Sequence, residues 1–157
     1  MKISSVDRFI EEMGLIAQEA GESRISGRIV GLLIVEDREF SLAQISERLG
    51  ISRASVSTNA RMLARRGVIR RTAHAGDRQD YYELSALPFA DRLEEIAGQF
   101  ARHARTIGNC LEGMRHENTA MTDRVKSVQS FFEQSSHILK GWANSLEHET
   151  ASREDGQ

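Results

Sequence analysis

Apolar residues return along this chain at a period that changes from region to region, and each period implies an element. Val6, Phe9, Ile10, Met13, Ile16 and Ala17 fall at helical spacing, predicting a helix over 6–20 that Gly21 ends. A second helix is predicted over 23–35, with Ile25, Ile29, Leu32 and Leu33 on one side and Gly27 and Gly31 four apart, where another helix can approach closely. Phe40 is a candidate for a short strand. Ser41 and Gln44 then form a capping box for a third helix whose stripe is Leu42, Ile45, Ser46 and Leu49, closed by Gly50 in the left-handed conformation. Ser52 reads as the N-cap of a fourth helix running to Arg66 and ended by Gly67. Val68 to Ala73, the turn-rich Ala75-Gly76-Asp77-Arg78 and Asp80 to Leu84 predict a β-hairpin. Beyond Pro88 the steps alternate between three and four: Phe89, Leu93, Ile96, Phe100, His103, Ile107, Cys110, Met114, then Met121, Val125, Val128, Phe132, Ser135, Leu139, Trp142, Leu146. Two such seams separated by Glu117-Asn118-Thr119 predict an antiparallel pair of long helices, with Glu147 to Gln157 a polar, frayed tail.

Two short helices joined by a tight glycine turn make a helix-turn-helix, and a hairpin directly after the second one is the wing of a winged helix. The expected fold is therefore mainly α with a small β-hairpin, a winged helix-turn-helix plus long dimerisation helices. The expected organisation is an N-terminal helix for packing or dimerisation (1–22), the winged helix-turn-helix (23–87), a helical hairpin for dimerisation and effector binding (88–147) and the polar tail (148–157). The two long seams expose more apolar surface than one chain covers, so a second copy is the expected cover.

Composition narrows the class. With 39% hydrophobic and 28% charged residues the chain suits a soluble globular protein. Its longest aliphatic stretch, Ile29 to Val35, is well short of the roughly 18 residues a membrane span requires. No secretory signal is visible, and the single cysteine, Cys110, forbids an intrachain disulfide; a reducing cytoplasm is the expected location. The net charge of -2 hides an asymmetry, because Arg53, Arg61, Arg65, Arg66, Arg70, Arg71 and Arg78 face one acid, Asp77, between 51 and 79. A compact cationic block in an otherwise acidic chain is the footprint of a polyanion-binding surface.

At 100° per residue Val56, Ala60 and Leu63 share the buried face of the fourth helix, which leaves Ala54, Ser57, Thr58, Arg61 and Arg65 outward. That is a major-groove face: small residues allow close approach, hydroxyls reach base edges or phosphates, and a central arginine bonds guanine O6 and N7. Arg53 and Arg66, to the sides, are expected on phosphates. The expected DNA-binding set is Ser52, Arg53, Ser55, Ser57, Thr58, Asn59, Arg61, Arg65 and Arg66, with Arg78 at the wing tip either entering a minor groove or bridging to Asp77 or Asp80.

The run Ile51-Ser52-Arg53-Ala54-Ser55-Val56-Ser57-Thr58-Asn59-Ala60-Arg61-Met62-Leu63, with Gly67-Val68-Ile69-Arg70-Arg71 and Gly76-Asp77-Arg78-Gln79-Asp80-Tyr81-Tyr82, resembles the MarR-type winged-helix transcription regulators, specifically their GbsR branch. Phe9 to Leu15 and Gly27 to Gly31 resemble that branch too, so the likeness spans Phe9 to about Leu84. The resemblance implies a cytoplasmic homodimer on a double-stranded DNA operator with two half-sites, usually a repressor, with some members responding to choline or glycine betaine. One departure stands out: the wider family's wing often reads Asp-x-Arg, whereas Asp77 and Arg78 are adjacent.

A quaternary-ammonium effector would draw on aromatic rings, and Phe100, Phe132 and Trp142 are the candidates, although their seam positions also suit a core. Cys110 is expected to be buried and structural. Seven residues separate it from His103, about 10 Å along a helix, too far for a shared metal. His74, His103, His116, His137 and His148 are dispersed and no catalytic motif is present, so neither an enzyme nor a cofactor is expected. The alternative reading is a helical protein-interaction module whose winged helix is only a scaffold and whose arginines bind an acidic protein.

Overall fold

The computed structural model describes residues 4–86 and 88–154, which divide at Pro88 and Phe89 into two compact units. The first holds α1 (Ser5–Glu19), α2 (Arg24–Glu36), β1 (Phe40–Ser41), α3 (Leu42–Leu49), α4 (Arg53–Arg65), β2 (Ile69–Thr72) and β3 (Tyr81–Leu84). The second is α5 (Ala90–Gly113) and α6 (Thr119–Glu154). The mainly helical class with a small sheet is as the sequence predicts.

In the first unit α1 lies along α2 because the glycines leave room for it. A Cβ on Gly27 would sit 2.2 Å from the Met13 carbonyl oxygen and 2.7 Å from Ala17 Cβ. Ion pairs hold the same helix: Arg28 and Arg24 grip Glu11 at 2.7 and 2.8 Å, and Arg48 of α3 grips Asp7 at 2.8 Å. Arg28 also donates to the Leu49 carbonyl at the end of α3, 2.8 Å away. Beneath these contacts Ile29, Leu32, Leu33, Ile45, Val56 and Ile69 are buried completely, joined by Phe40 and Tyr82. The sheet is antiparallel with strand order β1-β3-β2, pairing Phe40 with Tyr82 and Ile69 with Leu84. The short strand expected at Phe40 thus belongs to the same sheet as the hairpin.

The second unit keeps part of the heptads that the sequence predicts and replaces the rest by neighbouring positions. Its buried residues are Ala90, Ala97, Ala104 and Ala143, and Ser136 donates to the Ala97 carbonyl at 2.7 Å. Small residues bring the helices close and are the fully buried ones, while Leu93, Phe100, Ile107, Val125, Phe132 and Leu139 of the expected seams are half-buried beside them. Phe89, Met121, Val128 and Trp142, expected in the seams, are exposed, together with Phe131 and Ile138. On α6 the exposed apolar positions 128, 131, 138 and 142 form one outward stripe of their own. Asn118 caps α6, its side-chain oxygen accepting from Ala120 N at 2.8 Å. The tail expected to fray is helical to Glu154, since nothing between 147 and 154 breaks a helix; the last three residues lie outside the described ones.

Candidate nucleic-acid interface

The turn that presents α4 is built by local chemistry. Ser41 and Gln44 form the capping box of α3, Gly50 takes φ 65° at its C-cap, and Ser46 Oγ donates to the Ile51 carbonyl at 2.6 Å. Ser52 caps α4 by accepting from Ser55 N at 3.2 Å, while its hydroxyl donates to Ser55 Oγ at 2.9 Å. Both serines sit at the start of the helix with their hydroxyls committed to the cap. Val56, Ala60 and Leu63 are buried, as the periodicity predicts, and Arg53, Ala54, Thr58, Arg61 and Arg65 are exposed, with Ser57 half-buried.

Asn59 departs from the expected set. It is 9% exposed; its amide donates to the Ser55 carbonyl at 2.8 Å and its oxygen accepts from Ser26 Oγ of α2 at 2.8 Å. A side chain so enclosed does not reach a groove. The signal lay in the sequence, because position 59 falls between 56, 60 and 63 on the buried stripe.

The arginine block separates into two groups. Arg66 pairs with Glu22 at 2.5 Å, Arg70 with Glu83, and Arg71 with Asp80 at 2.5 Å. Arg66 is thus tied back to the α1–α2 connection, contrary to its expected place on phosphate. Arg53, Arg61, Arg65 and Arg78 have no carboxylate partner among the described residues; Arg61 makes only a 3.3 Å bond from Nε to the Ser57 carbonyl. Free positive charge is therefore concentrated on the outward face of α4 and at the wing tip.

That tip is ordered by a polar cluster the sequence did not suggest. Asp77 accepts from the Tyr81 hydroxyl at 2.7 Å and from Gln79 N at 2.9 Å, so Arg78 is bridged to neither Asp77 nor Asp80. Gly76 turns the chain at φ 84°. At the base of the wing Glu39 accepts from Thr72 Oγ1 at 2.7 Å and meets His74 Nε2, whose ring stands edge-on to Tyr81 at 4.9 Å. The Tyr81 hydroxyl and the Gln79 amide hold the Asp77 carboxyl below its ordinary value. The Thr72 hydroxyl and His74 do the same to Glu39, and the Asp77 carboxylate pushes the Tyr81 phenol up.

In the second unit Phe100 and Phe132 meet at 5.3 Å between centroids, with Phe131 and His103 completing the group. Trp142 is not part of it, being 57% exposed on the outward stripe. The rings meet edge-on or tilted against one another rather than around a cavity. A depression of about 740 Å³ nearby is lined by Arg102, Arg105 and Arg115 against the single carboxylate Glu112, a poor setting for a cation. Cys110 is exposed, which corrects its expected burial. Among the described residues no three His, Cys, Asp or Glu side chains gather to hold a metal, and no helix is long and apolar enough to cross a membrane.

Known proteins are similar to this chain in sequence and in fold. Residues 23–80 match the model of the MarR family. The HTH-type transcriptional regulator MmpR5 of Mycobacterium tuberculosis is 41% identical over 83 residues, 52% of this chain and 50% of that protein, so the chain spans about half the length of this curated relative. A solved structure described as the crystal structure of a transcriptional regulator aligns with a TM-score of 0.74 at 25% identity, over 92% of this chain and 99% of its own.

Proposed function

We propose that this chain, whose residues 23–80 match the MarR family of winged helix-turn-helix regulators, is a homodimeric, sequence-specific DNA-binding transcription regulator. The observation that carries the reading is the sorting of charge: Arg53, Arg61 and Arg65 on α4 and Arg78 on the wing are left free while Arg66, Arg70 and Arg71 are neutralised. A fold that leaves one helix face cationic and pairs the rest has a polyanion to meet. In this reading α4 enters the major groove with Ala54, Ser57, Thr58 and Arg61 on base edges, Arg53 and Arg65 lie on phosphates, and Arg78 enters the neighbouring minor groove. The resemblance to MmpR5, a regulator by its name, supports the same function.

The apolar stripe on α6 at Val128, Phe131, Ile138 and Trp142 is covered by a second copy of the chain, which sets the two recognition helices on half-sites about 34–36 Å apart or a multiple of that. Such a dimer on an operator acts as a repressor by occupying it, within the cytoplasm. An effector, as the GbsR likeness implies, would use the Phe100–Phe132 cluster without Trp142. The interaction-module alternative, in which the same arginines bind an acidic protein, is disfavoured by the likeness to MmpR5, a transcriptional regulator by its name. Selection of bound sequences from a random duplex pool, followed by retardation assays across a salt series, tests the proposal. It expects an enriched two-part motif and binding that weakens steeply with salt; no enrichment, with salt-insensitive binding, refutes it.

A further inference from the structure

We infer that operator choice is set partly from α2, through the buried Ser26–Asn59 pair that fixes the rotation of α4. Three buried polar residues stand out in the first unit: Ser26, Ser41 and Asn59. Ser41 is accounted for by its capping box. Ser26 and Asn59 are bonded to each other at 2.8 Å across two helices, 3% and 9% exposed, amid aliphatic neighbours.

Apart from the Glu22–Arg66 ion pair at its C-terminal end, α4 is seated by apolar burial of Val56, Ala60 and Leu63 with Ala64 beside them, and apolar burial has no preferred direction. A hydrogen bond does, weakening steeply away from its angle and distance. The Asn59 amide is oriented at both ends, its nitrogen toward the Ser55 carbonyl and its oxygen toward Ser26. Rotating α4 breaks the link to α2 and leaves two buried polar groups without partners. Two residues along, Arg61 lies about 200° around the helix from Asn59, so the direction of one dictates that of the other. With a helix radius of about 5–6 Å including side chains, a rotation of ~20° carries a side chain about 2 Å sideways, several times the tolerance of a bidentate arginine–guanine contact. The Glu22–Arg66 pair holds the other end of α4 from the same segment of chain. Asn59 is thus a positioning residue: it touches no base, yet it aims one that does.

The test replaces both partners by apolar groups, Ser26→Ala with Asn59→Leu, which leaves no buried polar group stranded. Affinities of the wild type and the variant are measured for a selected operator and for a random duplex. The ratio of the two affinities is expected to fall at least tenfold in the double variant, while random-duplex affinity and its salt slope stay within about twofold, because Arg53 and Arg65 are untouched. A folded double variant with the wild-type ratio overturns the inference, since a merely structural role changes stability and not discrimination. If the double variant does not fold, the ratio is read from Ser26→Ala alone, where a loss of about fivefold is expected and an unchanged ratio again overturns it. The inference rests on the DNA-binding reading above, and the two fail differently: wild type holding both duplexes alike refutes that reading, whereas a discriminating wild type matched by its variants refutes this one.

Discussion

Removing arginines one at a time from α4 separates base readout from phosphate contact. Arg53 is exposed at the first turn without a carboxylate partner, so its proposed role is on phosphate. Deleting one phosphate ligand lowers the salt slope by ~0.9, and a dimer carries two copies of it, giving a change of about 1.8. Between 50 and 200 mM salt, wild type should then lose about 12-fold more affinity than Arg53→Ala, on any duplex. Arg61→Ala should behave otherwise. Its loss removes a base contact worth ~1–3 kcal/mol per half-site and relaxes preference at one position in each, with the random duplex little affected. Arg66→Ala is the control that the structure supplies: its charge is already spent on Glu22, so its slope should match wild type. The assay is fluorescence anisotropy on a selected operator and an unrelated duplex across that salt range. If Arg66→Ala lowers the slope as far as Arg53→Ala, the pairing with Glu22 does not hold on DNA and the division of charges is wrong. If Arg53→Ala changes sequence preference while Arg61→Ala weakens both duplexes equally, α4 meets the groove with its other side.

Gly27→Ala should destabilise the first unit by about 1–3 kcal/mol in denaturant unfolding, because the new Cβ meets the Met13 carbonyl at 2.2 Å, whereas Gly141→Ala, with nothing within 4 Å, should gain up to ~1 kcal/mol; equal effects would refute the close α1–α2 approach. Ile138→Glu, on the outward stripe of α6, should leave a folded monomer by light scattering and shift Trp142 emission to the red, and a retained dimer would show that the second copy docks elsewhere. The wing should be stable at neutral pH and loosen at both extremes. The lowered carboxyls of Asp77 and Glu39 contribute stability above the ordinary carboxylate value of about 4, lost as pH falls through their depressed values; the raised Tyr81 phenol contributes below about 10, lost as pH rises through its elevated value. Spectrophotometric titration should find a late-ionising phenol that is absent in Tyr81→Phe and ionises earlier in Asp77→Asn; a Tyr81 that ionises at the ordinary value would refute the Asp77 bond.

What was legible in the sequence was what neighbouring residues decide. The capping box at Ser41, the left-handed Gly50 and the Ser52 cap each depend on residues within a few positions, and each is found where it was read. The long helices were legible as helices but not in their phase. Counting large apolar residues points to Phe89 and Trp142 as well as to Leu93, Phe100, Phe132 and Leu139; the latter are half-buried, but antiparallel helices that approach closely select the alanines at 90, 97, 104 and 143 for the centre and leave Phe89 and Trp142 outside. The arginine block misled for a related reason. Charge was counted over residues 51–79, but the carboxylates that neutralise Arg66, Arg70 and Arg71 come from positions 22, 83 and 80, which only the fold brings near. Asn59 has the chemistry of a DNA contact but a position on the buried stripe, and position prevails.

The pairing of Phe40 with Tyr82 also bears on how the protein is made. The helix pairs α1–α2 and α3–α4 join neighbours in sequence, so they can assemble as soon as both members exist. The β1–β3 ladder instead encloses residues 41–81, a loop whose closure costs about 3 kcal/mol of chain entropy and cannot begin until β3 has been synthesised. During translation the arginine-bearing helix therefore leaves the ribosome well before the strand that closes the sheet. The order of synthesis makes the DNA-reading helix and the α2 serine that orients it early products, and the closed sheet of the wing a late one.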